Sequence, residues 1–168
     1  MQRTLKEFLE KTPFFGGLEE ASLERLGGML KRHTFREGAT IFFEGDRGAS
    51  MYLILSGEVL MVRSGLAGQR VRLVRLRQGD FFGETTLIEM QPRPATAQAE
   101  TDVVLLELTN IDLYRLYQAD VKGYVLVLQN INRELCRRLR AADGRVTVLA
   151  AESDDREVTQ IAYVKPLR

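Results

Sequence analysis

The sequence predicts an α+β fold that is mainly β, with helices at both ends and a closed or sandwiched antiparallel β structure between them. Three observations predict it. The first 32 residues carry apolar positions at helical spacing. Residues 33–109 break into short alternating runs that mostly end on glycine. From residue 110 onward the spacing is helical again, and it turns into a heptad.

Residues 2–10, "QRTLKEFLE", read as a short amphipathic helix, and "PFFGG" after it reads as a turn. A second helix follows, with Leu18, Leu23, Leu26 and Leu30 on one face. The β region then shows "TIFFEGD" closing on Gly45, "MYLILSG" on Gly57, "EVLMVRSG" on Gly65 and "RVRLVRLRQGD" on Gly79, followed by "TAQAET" and "VVLLELT". These make six to eight strands. Arg70, Arg72, Arg75 and Arg77 alternate with Val71, Leu73, Val74 and Leu76 in a mostly period-two pattern, which predicts a solvated basic face over an apolar one.

Residues 110–150 predict a helix over about 110–117 and a long one over about 120–150. Val125, Leu128, Asn132, Leu135, Leu139, Ala142, Val146 and Leu149 occupy successive a and d positions of a heptad. Asn132 is the polar exception, a device that fixes the register of a parallel pair. In this register Arg138 is at g and Asp143 at the next e, the geometry of an interchain ion pair. A homodimer through this seam is the expectation; the other reading packs the stripe on the domain's own sheet. Gly144 weakens the helix by about 1 kcal/mol relative to alanine. The tail, 151–168, is too short for another domain.

Composition removes several function classes. The 24 Lys and Arg against 23 Asp and Glu leave a net charge of +1, which argues against direct nucleic-acid binding by counterion release. No apolar run reaches transmembrane length, and the charged start argues against export, so a cytoplasmic protein without membrane contact is expected. One His, His33, and one Cys, Cys136, supply no metal cluster and no disulfide. His33 reads as a surface or strand-edge residue. No enzyme is expected.

What remains is "FFGETTLIEMQPRPATAQA", residues 81–99, read as a polar loop between two strands. Arg93 can give two parallel charge-assisted hydrogen bonds to an anion. Gly83 lets backbone approach closely, and ionised Glu84 accepts from hydroxyls. A ribose phosphate fits both ends of the segment. An internal Glu84–Arg93 ion pair closing the loop fits it as well.

Residues 82–97, F-G-E, small residues, Leu-Ile, a short turn, then P-R-P-A-T, closely resemble the phosphate-binding cassette of the cyclic nucleotide-binding domain family, of the catabolite activator protein and protein kinase A regulatory subunit type. "FREGATIFFEGDRGASMYLILSGEVLMV" and "LRQGDFFGE" upstream and "RRLRAADGRVTVLA" downstream look like the same family, so the resemblance covers roughly residues 10–150. It implies an eight-stranded antiparallel β-roll, jelly-roll-like, flanked by N-terminal helices and a long C-terminal dimerisation helix. It also implies a stand-alone sensor of cAMP or cGMP that signals to an effector protein of unknown identity.

By the same resemblance, Glu84 holds the ribose 2′-OH and Arg93 the cyclic phosphate. Gly83, Thr85, Thr86, Pro94 and Ala95 line the sugar phosphate, and Leu73 and Phe82 lie against base or sugar. Arg138 matches an arginine that meets the cassette glutamate, and Ala142 and Asp143 match a Thr-Ser pair at the base. Asp143 suits adenine N6 or guanine N1 and N2, leaving cAMP against cGMP open. Pro94 departs from the pattern, because the N–H it lacks often donates to the phosphate. Losing one such donor costs about 1.5–3 kcal/mol, roughly ten- to a hundredfold in affinity. A degenerate, non-binding domain used for dimerisation or docking is the alternative.

Overall fold

The computed structural model describes residues 3–65 and 68–152. Most of the tail expected over 151–168 therefore lies outside the described residues. The chain divides into two compact units, 1–131 and 132–168.

In the first unit, α1 (Arg3–Lys11) leads through a single 3-10 turn at Pro13–Phe15 into α2 (Glu20–Met29). Eight strands follow: β1 (Lys31–Phe35), β2 (Thr40–Phe42), β3 (Ser50–Ser56), β4 (Val59–Ser64), β5 (Arg70–Leu76), β6 (Phe81–Phe82), β7 (Thr96–Ala99) and β8 (Val103–Thr109). A short helix α3 (Glu84–Glu89) interrupts them between β6 and β7. Two helices close the described chain, α4 (Asn110–Ala119) and α5 (Val121–Glu152).

The expected closed β-roll is corrected by the strand pairing. The strands form two open four-stranded sheets, in the orders β1-β8-β3-β6 and β2-β7-β4-β5, with every pairing antiparallel. Among the described residues no ladder joins one sheet to the other. At one edge β6 supplies two residue pairs, Tyr52 with Phe82 and Leu53 with Phe81. The chain then leaves through Gly83 at φ +80° into α3, so the ladder cannot continue. Phe42, Val59, Leu76, Ala97 and Ala99 from one sheet join Ile54, Phe82, Val103 and Leu105 from the other in a single buried cluster. Burial of apolar side chains, not sheet closure, holds the two layers together.

A second expectation also changes. Strand β5 does not alternate: six of its seven residues are exposed, and Val71, Leu73 and Val74 are each about 40% accessible. Among the described residues it is an edge strand paired only with β4, and Leu76 alone of its residues reaches the core. Arg75 and Arg77 instead make surface ion pairs with Glu58 and Glu100.

Helix ends are secured by side chains. Thr109 and Asp112 form a reciprocal capping box at the start of α4. Asp120 accepts from the Gly123 amide at 2.8 Å and from the Ser22 hydroxyl, tying the start of α5 to α2. Buried Asn130 donates to the carbonyls of Phe14 and Gly16, both at 2.9 Å. On this stretch α5 buries Val127, Asn130 and Ile131 and leaves Val125 exposed and Leu128 half-buried. In the second unit Leu139, Val146 and Leu149 are exposed and Leu135 and Ala142 half-buried.

Candidate functional site

Within the segment expected to be a polar loop, Glu84–Glu89 form a six-residue helix. Gly83 precedes it in the left-handed region, and Met90 ends it at φ +54°, its amide donating to the Thr86 carbonyl. Helical geometry carries Glu84 and Thr86 inward, and both are buried, with Thr85 half-buried beside them.

Arg93 reaches the same place from the other end of the cassette. Its backbone is strung along the β2–β3 connection: its amide donates to Asp46 O at 2.8 Å, and its carbonyl accepts from the Gly45 amide at 2.9 Å. Its side chain is only 4% exposed. Nη1 donates to the Gly83 carbonyl at 2.9 Å and to Thr86 Oγ1 at 3.2 Å, whereas Nη2 reaches Ser50 Oγ only at 3.5 Å, the outer limit of a hydrogen bond. The guanidinium carbon lies 4.1 Å from the Phe42 ring centre and 5.9 Å from that of Tyr52.

Burial pulls the Arg93 guanidinium down from its ordinary value, while Tyr52, Glu107, Glu84 and Asp46 act in the opposite direction. An arginine remains charged under such a shift. Burial likewise raises the Tyr52 phenol. The site is therefore a desolvated cation within electrostatic reach of carboxylates, with Nη1 engaged by protein acceptors and Nη2 loosely held. A phosphate or carboxylate oxygen is the chemistry such an edge recruits.

Of the residues expected at the site, the structure brings Gly83, Thr86 and Arg93 into direct contact and places Glu84 within electrostatic reach of Arg93. Pro94 follows on the exposed side, and Ala95 is buried. Phe82 is buried and stacks on Tyr52, with ring centres 5.5 Å apart. Leu73 lies in the other sheet from Phe82, 42% exposed on β5. Arg138, Ala142 and Asp143 belong to the second unit. There Arg138 Nε pairs with Glu134 Oε1 at 3.0 Å, and the Asp143 carbonyl accepts from the Thr147 hydroxyl.

Sequence reasoning missed Phe42, Gly48, Ser50 and Tyr52, which surround the guanidinium. Gly48 was the legible one: a Cβ there would sit 2.5 Å from Arg93 Nε, so this glycine is where backbone closes on the cation. The glycine-bounded turn "EGDRGAS" was the available signal. His33 lies on edge strand β1, its Nε2 2.9 Å from Glu107 Oε2.

Two surface pockets of the first unit lie elsewhere. One, of about 550 Å³, is bordered by α1 residues and by Gln78–Asp80; the other, of about 440 Å³, by Leu87, Ile88, Tyr114, Tyr117 and Tyr124 among others. Neither is lined by Arg93 or Glu84. Among the described residues no cluster of three His, Cys, Asp or Glu could hold a metal, and no helix is long and apolar enough to cross a membrane.

Comparison with known proteins shows the family. The cyclic nucleotide-binding domain family matches residues 32–120. The chain is 34% identical over 160 residues to the cyclic AMP receptor protein of Thermus thermophilus, covering 95% of this chain and 72% of that one. It is 32% identical to the cAMP-dependent protein kinase regulatory subunit of Aspergillus niger, over 68% of this chain but 27% of the relative. The crystal structure of the Thermus thermophilus catabolite activator protein superposes with a TM-score of 0.73 at 35% identity, covering 82% of this chain and 63% of that one. These relatives are a receptor, a regulatory subunit and an activator, and the chain spans 27% of the regulatory subunit and 63% of the activator chain. It belongs to the cyclic nucleotide-binding domain family.

Proposed function

We propose that this chain is a cytoplasmic cAMP sensor that works as a homodimer and signals through α5. The observation that carries the reading is the buried Arg93, held on the cassette with Glu84 nearby and its Nη2 edge weakly engaged. Arg93 takes the cyclic phosphate and Glu84 the ribose 2′-OH, with Gly83, Thr85, Thr86, Pro94 and Ala95 lining the sugar phosphate and Phe82 behind them. The Thermus and Aspergillus relatives, both cAMP-named, favour cAMP over cGMP. The exposed heptad positions of α5, distinct from the Val127 and Ile131 that it buries at home, supply the dimer seam.

A second reading, a non-binding domain used for dimerisation or docking, is favoured by Pro94, which has no N–H to donate. Calorimetric titration of nucleotide-free protein with cAMP and cGMP, repeated on Arg93→Ala, separates the two. Micromolar or tighter binding of cAMP that Arg93→Ala abolishes supports the sensor. No heat from folded, dimeric protein refutes it.

A further inference from the structure

A guanidinium carries five N–H donors in one plane, and each one that the protein uses is lost to a ligand. Arg93 has Nη1 acceptors on Gly83 and Thr86, but Nη2 is only loosely tied. A contact of another kind comes from β2. Phe42 is buried, with its ring centre 4.1 Å from the guanidinium carbon, well within the range where an aromatic face attracts a cation. The ring is itself fixed. Its centre is 6.1 Å from that of Tyr52, stacked at 30° between planes, and 5.8 Å from that of Phe82. Tyr52 and Phe82 stack on each other at 5.5 Å. Backbone at Gly48 closes on the guanidinium as well, at a position no side chain could occupy without moving it.

A hydrogen bond to the guanidinium consumes an N–H, whereas a ring facing it consumes none. A cation–π contact can therefore orient the group while leaving its in-plane donors for a ligand. That matters more here than in a cassette with every donor present, because Pro94 contributes none.

We infer that Phe42 is a positioning residue for Arg93: its ring face sets the guanidinium plane so that the Nη2 edge is presented to a phosphate. This rests on the reading of Arg93 as the phosphate anchor. Leucine at 42 would confuse this role with packing, so the test alters the ring's π density and keeps its shape. Phenylalanines carrying one, two and three ring fluorines are placed at position 42 by nonsense suppression. Affinity for cAMP is measured by calorimetry, and side-chain order at Arg93 by 15N relaxation of its Nε–H.

The expected result is a graded loss of affinity reaching roughly tenfold at three fluorines, with a parallel fall in the Arg93 order parameter. In an Arg93→Ala background any residual binding should show no such gradient. A flat affinity series in the native background, or an equal gradient in the Arg93→Ala one, overturns the inference. If unmodified protein binds neither cAMP nor cGMP, the proposed function fails. The Arg93 relaxation series then decides alone, with a graded fall in order supporting the role of Phe42 and an unchanged order parameter overturning it.

Discussion

Gly83→Ala is the sharpest single perturbation of the cassette. Gly83 sits at φ +80°, where an L side chain costs about 1–2 kcal/mol. A Cβ there would fall well inside van der Waals contact of Arg93 Nη1, 3.4 Å from Cζ and 3.3 Å from the Ser50 carbonyl oxygen. The Ser50 backbone cannot yield, so the guanidinium must withdraw by about 1 Å to reach ordinary contact distance. That stretches the 2.9 Å bond to the Gly83 carbonyl beyond hydrogen-bond range. A hydrogen bond from a charged donor contributes about 1.5–3 kcal/mol. The total destabilisation is therefore about 2.5–5 kcal/mol, and the displaced Arg93 should cost at least tenfold in cyclic nucleotide affinity. Gly79→Ala is the matched control. Its φ is +89°, but a Cβ would meet nothing within 4 Å, so it should lose only the backbone share. Denaturant unfolding of both variants, with cAMP calorimetry, isolates the guanidinium contribution. Equal losses of stability and affinity in the two variants would refute the claim that Gly83 is there to admit Arg93.

Asn130→Ala leaves the Phe14 and Gly16 carbonyls without their donor and should cost about 1–3 kcal/mol in denaturant unfolding; a loss below 0.5 kcal/mol would mean water replaces it. The Asp120 carboxyl is held below its ordinary range by the Ser22 hydroxyl first and the Gly123 amide second. Its stabilisation is thus present above the unfolded-state value near pH ~4 and is lost as acidification passes through the lowered folded value. Asp120→Asn should flatten that acid loss, and a variant whose stability falls with pH as steeply as the native protein's would contradict this. Leu139→Glu puts a charge at an exposed a/d position, so sedimentation should show a monomer with unchanged helix content; a persistent dimer would place the interface elsewhere.

The helices and most strands were legible because their signals are local. Glycine directly follows β3, β4 and β6, and α5 announced itself by a spacing that its own hydrogen bonds explain. The heptad face and the home-facing residues could also be told apart in principle. Val127 and Ile131 are four residues apart, as one helical stripe must be, and neither belongs to the a/d set. The cassette's residue types pointed to an anion and a hydroxyl partner without any coordinates, since only arginine offers a two-pronged donor and only a carboxylate is purely an acceptor.

Tertiary structure decided the rest. A period-two pattern is the same whether strands close into a roll or stop as two sheets, so closure was invisible until the ladders ended at β5 and β6. The cassette opens with the helix Glu84–Glu89 because Gly83 turns the chain at the edge of β6. Phe42, Ser50 and Tyr52 lie 41–51 residues before Arg93, and no local pattern ties them to it. They meet because β2 and β3 belong to different sheets facing one core, where a buried cation must take its partners from whatever strands the packing brings beside it.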